Sequence, residues 1–267
     1  MFEALSLYGR YMALAFRGQM QYRASFVMMA MGNFLYYVVR FLGIWIIFGR
    51  FDNIGGWSLH EVALLYGIVH IAIALAEATS PGFRDFGPMV RNGDFDRLLL
   101  RPRNTALQLA VHSLQVTSVG ALLQGGIVFA WAVQNLDISW TLAKIALLPA
   151  CIAGGVFLFY GLHIFEASLV FWTTQSLEFM NSITRGGLAT AQYPIAIYKQ
   201  WFRRFFTYVV PLAFINYYPV LFILDRGPAL GPFDGLLYCS PIAGFAFFVL
   251  CLPMWIVGVR HYRSTGS

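Results

Sequence analysis

The sequence is short of charge. Asp, Glu, Lys and Arg make up 11% of its 267 residues, against roughly 25% in an average soluble domain. A water-soluble chain of this length would still have to coat its outside, and 18 basic plus 12 acidic side chains cannot do so. With 59% hydrophobic residues and a mean hydropathy of +0.65, most of the outer surface faces lipid. That excludes a soluble enzyme, a nucleic-acid module and a disordered regulator. Cysteine is also scarce: Cys151, Cys239 and Cys251 lie in or near apolar stretches and build neither a disulfide framework nor a zinc site. The net charge of +6 is not gathered into a basic run, so no nucleic-acid partner is expected. There is no phosphate-binding G-x-x-x-x-G-K loop, no H-E-x-x-H and no G-x-S-x-G. The histidines at 60, 70, 112, 163 and 261 are scattered. No catalytic set, metal set or nucleotide site can be assembled, and the chain is expected not to be an enzyme.

What the sequence has is long apolar runs. They cover Ala24–Phe48, Val62–Ser80, Ala106–Gln134, Ile145–Trp172 and Leu236–Val259. Each is long enough to cross a bilayer as a helix, and none alternates as a barrel strand would. An all-α integral membrane protein follows. Between Trp172 and Leu236 two readings stay open. Hydropathy picks Phe205–Leu224 as the fifth span, although Pro211, Asn216 and Pro219 make it a poor helix. The other reading puts the span at Thr174–Ala191 and leaves 193–233 as re-entrant half-helices at the outer face, tolerated where protein or water covers them. Either gives six spans with both termini on one side. Lys and Arg counts put that side in the cytoplasm, by ten to six even under the re-entrant reading. No small-residue cleavage site precedes the first run, so the N-terminus is expected to stay.

Three groups of residues stand out. Along 2–22, Leu5, Tyr8, Met12, Ala15, Phe16 and Met20 recur at helical spacing, with Arg10 and Arg17 seven apart. This describes an amphipathic interface helix, serving as an anchor or as part of a docking surface. The segment 81–104 is the longest polar stretch. It carries a turn signal at Asn92-Gly93-Asp94 and a short helix that Pro102 stops, and it reads as a solvated loop or as a docking element. The third group is the ionisable residues inside spans: Arg40, Glu77, His163, Glu166, Glu178 and Arg185. Such groups are costly in hydrocarbon and default to functional candidates, although snorkelling or helix packing would also explain them. His163 and Glu166 share a helix face, but no second such pair faces them, so no metal site is expected. Gly125-Gly126, Gly154-Gly155 and Gly186-Gly187 would let helices approach closely.

The order of these parts resembles the permease subunits of ATP-binding-cassette exporters, the ABC type 2 permease family. The likeness covers nearly the whole chain. It rests on Gln21-Tyr22-Arg23-Ala24-Ser25 after the amphipathic helix and on Gly93-Asp94-Phe95-Asp96-Arg97-Leu98-Leu99-Leu100-Arg101-Pro102 between the second and third spans. Phe171-Trp172-Thr173, Gln192-Tyr193-Pro194, Pro211, Tyr217-Tyr218-Pro219 and the tail from Gly258 to Ser267 complete the set. The resemblance implies one permease domain over 1–267 whose coupling helix docks a separate ATPase through Gly93, Asp94, Phe95, Asp96, Arg97, Leu100, Arg101 and Pro102. It implies a second permease chain, the same or different, an export path between the two, and ATP and Mg bound by the ATPase rather than by this chain. It favours the re-entrant reading of 193–233 and a place in the cell membrane. A self-sufficient secondary transporter and a membrane enzyme are the rivals. The first would need midplane coupling-ion sites, the second a converging catalytic set.

Overall fold

The computed structural model describes residues 8–10, 13–14, 17–102, 104–110, 112, 118–173, 184, 186–226 and 240–262. Among the described residues the chain is helical, with no strand. Four helices are long and apolar enough to cross a membrane. They are α1 (Arg23–Arg50), α2 (Leu59–Thr79), α7 (Leu142–Leu169) and α11 (Ser240–His261). Between α2 and α7 come the short α3 (Phe86–Arg91), α4 (Asp94–Leu99) and α5 (Thr105–Ala110), then α6 (Ser118–Gln134). Before α11 lie α8 (Gln200–Arg204), α9 (Leu212–Ile215) and α10 (Tyr217–Ile223).

Helix α2 is the centre of the bundle. It is apolar all round and buried from Val62 to His70 without interruption, the signature of a helix enclosed on every side. It packs against α6 and α7, while α11 runs along α7 and α1 leans on α6. A capping box starts α2: the Ser58 hydroxyl accepts from the Glu61 amide, and the Ser58 amide donates to the Glu61 carboxylate at 2.7 Å. By contrast α1 buries only the seam of Tyr37, Phe41, Ile44 and Phe48, one residue per turn. Its remaining faces carry exposed Met28, Leu35, Val39 and Ile46. The α7–α11 contact depends on missing side chains, since a Cβ on Gly244 would lie 2.0 Å from the Gly154 carbonyl oxygen.

Two expected spans differ in outline. The run Ala106–Gln134 is not one helix in its described parts, because His112 closes a turn back on Leu109 after α5. Helix α6 alone has 17 residues, about 25 Å of rise. Phe205–Leu224 is not a straight span either. A π-helical turn at Phe205–Val209 continues α8, Pro211 interrupts the chain, and the two arms, Gln200–Val209 and Leu212–Ile223, meet at 74°. Pro211 has no amide proton to carry the helix on. Residues 186–191 are helical, whereas 174–183 and 227–233 lie outside the described residues. At the N-terminus, residues 8–10, 13–14 and 17–20 are helical, and the Tyr8 hydroxyl donates to the Thr79 carbonyl at 2.5 Å. That bond ties the segment to the end of α2.

Candidate functional site

Within the polar segment, residues 81–102 fold into a compact turn of short helices. Its two ends meet where Gly82 passes α5, and a Cβ there would lie 1.8 Å from the Leu109 carbonyl oxygen. Gly93 enters α4 in the left-handed region at φ +74°, a conformation glycine adopts without strain. A six-residue helix has little stability of its own, so α4 has to be held from outside. Phe95 does this. It is fully buried, with ring centres 5.0 Å from Phe86, 5.0 Å from Tyr262, 5.8 Å from Phe171 and 6.2 Å from Trp255. The Trp255 indole donates to the Thr105 hydroxyl at 3.2 Å. These aromatics join α3 and α4 to the far ends of α7 and α11.

Burying one Phe contributes roughly 1.5–3 kcal/mol, and each aromatic pair about 0.5–1.5 kcal/mol more. The exposed Asp94–Arg97 pair at 3.9 Å contributes at most about 1 kcal/mol. The anchor, not the ion pair, therefore fixes α4. Burial, with the Asp96 carboxylate alongside, pushes the Tyr262 hydroxyl up to about 12. On the opposite side α4 presents a free face. Leu100 is 85% exposed, and Arg97, Arg101 and Pro102 are exposed around it. Of the expected docking residues, Gly93, Asp94, Arg97, Leu100, Arg101 and Pro102 bound this side, Asp96 is half-buried, and Phe95 points away from it. Phe95 is thus an anchor rather than a contact residue, because its ring fills the aromatic cage.

A second feature lies within the bundle. A cavity of about 280 Å³ opens between α1, α2, α7 and the residues Thr184 and Leu188. Asn33, Tyr36, Tyr37 and Arg40 line it from one face of α1, Glu77 from the end of α2 and Arg84 from the turn that follows. Ser118, His163, Glu166 and Thr184 complete the polar wall. Arg84 pairs with Glu77 at 3.1 Å. The spacing of 33, 36, 37 and 40 is a helical stripe visible in the sequence, although only Arg40 stood out as charged. Four of the six expected intramembrane polar residues, Arg40, Glu77, His163 and Glu166, thus share one space. Glu178 and Arg185 lie outside the described residues. Among the described residues, no three His, Cys, Asp or Glu side chains come close enough to hold a metal ion.

A family model described as ABC-2 family transporter protein matches residues 34–266. The chain belongs to that family. No curated protein and no solved structure matches it. The ABC-2 match takes in α1 from residue 34 onward, the three other long helices, the segment 81–104 and the polar cavity from Tyr36 onward. With the apolar helices, it makes the chain a multi-pass membrane permease of an ABC transporter.

At the other end of this ABC-2 permease, consecutive residues that sequence reasoning did not single out close the bent pair. Asp225 accepts from the Lys144 ammonium and from the Ser139 hydroxyl, both at 2.7 Å. Those bonds hold its carboxyl below the usual carboxylate range. Arg226 pairs with Glu61 at 2.6 Å, donates to the Gly56 carbonyl at 2.9 Å and lies 4.6 Å over the Trp57 ring. The signal in the sequence was the Asp-Arg doublet ending an apolar run.

Proposed function

We propose that this ABC-2 permease is the membrane half of an exporter driven by a separate ATPase. In this reading α4 is the coupling helix, and the free face around Leu100 sits in a groove of the ATPase. The ATPase binds ATP and Mg, and this chain supplies motion. The chain crosses the cell membrane six times with both termini in the cytoplasm, its fifth span running through Thr174–Ala191. The bent pair and the rest of 193–233 form re-entrant half-helices at the outer face. A second permease chain, the same or different, completes the path, and the N-terminal segment flanks the docking face.

The observation that carries the reading is the contrast across α4. One side is locked into the aromatic cage, while the other leaves Leu100 exposed among Arg97, Arg101 and Pro102. An apolar side chain held in water on a rigid, basic platform is what a docking knob requires. Closure of two ATPase subunits would then push a stiff element rather than a loose loop. The test is affinity purification of the tagged chain in mild detergent, with mass spectrometry of what accompanies it. An ATPase carrying a phosphate-binding loop should be recovered. It should be lost when Arg97, Leu100 and Arg101 are together replaced by Ser, with insertion and thermal melting unchanged. A chain that purifies alone in several detergents, or a triple variant that keeps the ATPase, would overturn the assignment.

A further inference from the structure

We infer that the cavity at Arg40 is a binding site for the anionic headgroup, phosphate or carboxylate, of an amphiphile whose apolar tail lies outside it along α1. As a statement about transported cargo this rests on the permease reading, but as a statement about binding it does not.

Charge gives the sign of the ligand. Arg40 lies well inside the first span, half-buried, and its close contact is with the Tyr36 ring at 5.9 Å. Among the described residues no carboxylate forms a salt bridge with it. The other charges of the cavity are already engaged: Arg84 with Glu77 at 3.1 Å, and Glu166 within the protein. A guanidinium inside a span is costly, so an unpaired one calls for a counter-charge. The positive group left over is Arg40.

Hydrogen bonding is compatible with that sign. His163 and Thr184 stand in the wall of this cavity, each more than nine-tenths buried, and His163 Nδ1 and Thr184 Oγ1 have no partner. Orphaned buried polar atoms of this kind are rare and need a reason. A hydroxyl can donate, as can a ring nitrogen in the tautomer that carries its proton there, and the oxygens of a phosphate or carboxylate accept several such bonds beside a guanidinium. Water would satisfy the two orphans but would leave the Arg40 charge uncompensated.

Size and opening supply the rest. About 280 Å³ is just under the roughly 300 Å³ at which small-molecule sites begin, enough for a headgroup but not for its chain. Tyr36 lines the cavity and is also 57% exposed, with Leu35 and Val39 exposed beside it. The Tyr36 edge of the cavity wall thus adjoins the lipid-facing side of α1, where an apolar tail would lie.

The experiment uses the full-length chain purified in a neutral maltoside detergent. Thermal unfolding is followed while dodecyl phosphate, inorganic phosphate or dodecyltrimethylammonium is added. Dodecyl phosphate should stabilise the wild type saturably, and dodecyltrimethylammonium should not. Its apparent affinity should fall at least about tenfold in Arg40→Gln, recover in Arg40→Lys and stay unchanged in Arg50→Gln. Should Arg40→Gln fail to fold, the pair His163→Leu with Thr184→Val gives a second reading, with a weakened dodecyl phosphate response expected. Equal affinity in these variants, or equal stabilisation by the cationic probe, would overturn the site. Inorganic phosphate acting as strongly as dodecyl phosphate would identify a soluble anion and overturn the amphiphile. Recovery of an ATPase is a separate measurement, so either reading can fail while the other stands.

Discussion

Replacing Phe95 by Ala empties the middle of the aromatic cage while leaving every exposed atom of α4 in place. The ring is fully buried and touches Phe86, Phe171, Trp255 and Tyr262. Truncating a buried Phe costs about 3–5 kcal/mol. Helix α4 is six residues long and cannot stay helical unaided. The loss should therefore appear as local opening of 94–99 rather than as collapse of the bundle. At about 1.4 kcal/mol per factor of ten, amide exchange there should speed up on the order of 100- to 4,000-fold. Hydrogen–deuterium exchange of the purified chain, read on peptides spanning α4, measures this directly. Leu100→Ser, which removes an exposed side chain, should leave exchange unchanged. Phe95→Ala exchanging at the wild-type rate would refute the claim that the cage holds the helix, and would shift that role to the turn at Gly93.

Gly244→Ala should lower the melting temperature, since the new Cβ meets the Gly154 carbonyl oxygen and α7 and α11 must part, at about 1–3 kcal/mol. Gly126→Ala, with nothing within 4 Å, is the matched control and should melt like the wild type. The folded Asp225 carboxyl titrates below its ordinary value of 3.8, so its stabilising effect is present above that pH and is lost as pH falls through the folded value. The gap in melting temperature between wild type and Asp225→Asn should accordingly be flat near neutrality and shrink below about pH 4; a gap that widens in acid would refute the bond. Tyr8→Phe removes one hydrogen bond, worth about 0.5–1.5 kcal/mol, and should speed trypsin cleavage after Arg10 or Arg17 with little change in the melt.

The membrane class was legible because it depends on composition, and the four long helices fall within a few residues of apolar runs visible in the sequence. The intramembrane polar residues were legible for the same reason: Arg40, Glu77, His163 and Glu166 stand out against hydrocarbon. That they meet in one cavity was not, because it depends on the rotation of three helices about their own axes. Phe95 shows the limit more sharply. In Gly93–Pro102 it reads as one more apolar residue of a short amphipathic helix. Its role is set by Phe171, Trp255 and Tyr262, which arrive from the ends of two helices far along the chain. The same holds for Lys144 and Asp225, which lie 81 residues apart. The bend at Pro211 was half legible: the proline argued against a straight helix, but hydropathy alone still favoured one.

Asp225 and Arg226 are neighbours in the chain, yet they grip different loops, one beside Ser139 and Lys144 and the other beside Gly56 and Glu61. The two attachments work in parallel on a single peptide unit. Breaking either leaves the end of the bent pair tethered by the other, so a partial disturbance at this end of the bundle is absorbed rather than passed on. Only simultaneous loss of both frees the segment. The doublet therefore acts as a two-key lock, and any movement that swings the bent pair away must pull α2's first turn and the start of α7 apart from it in the same step.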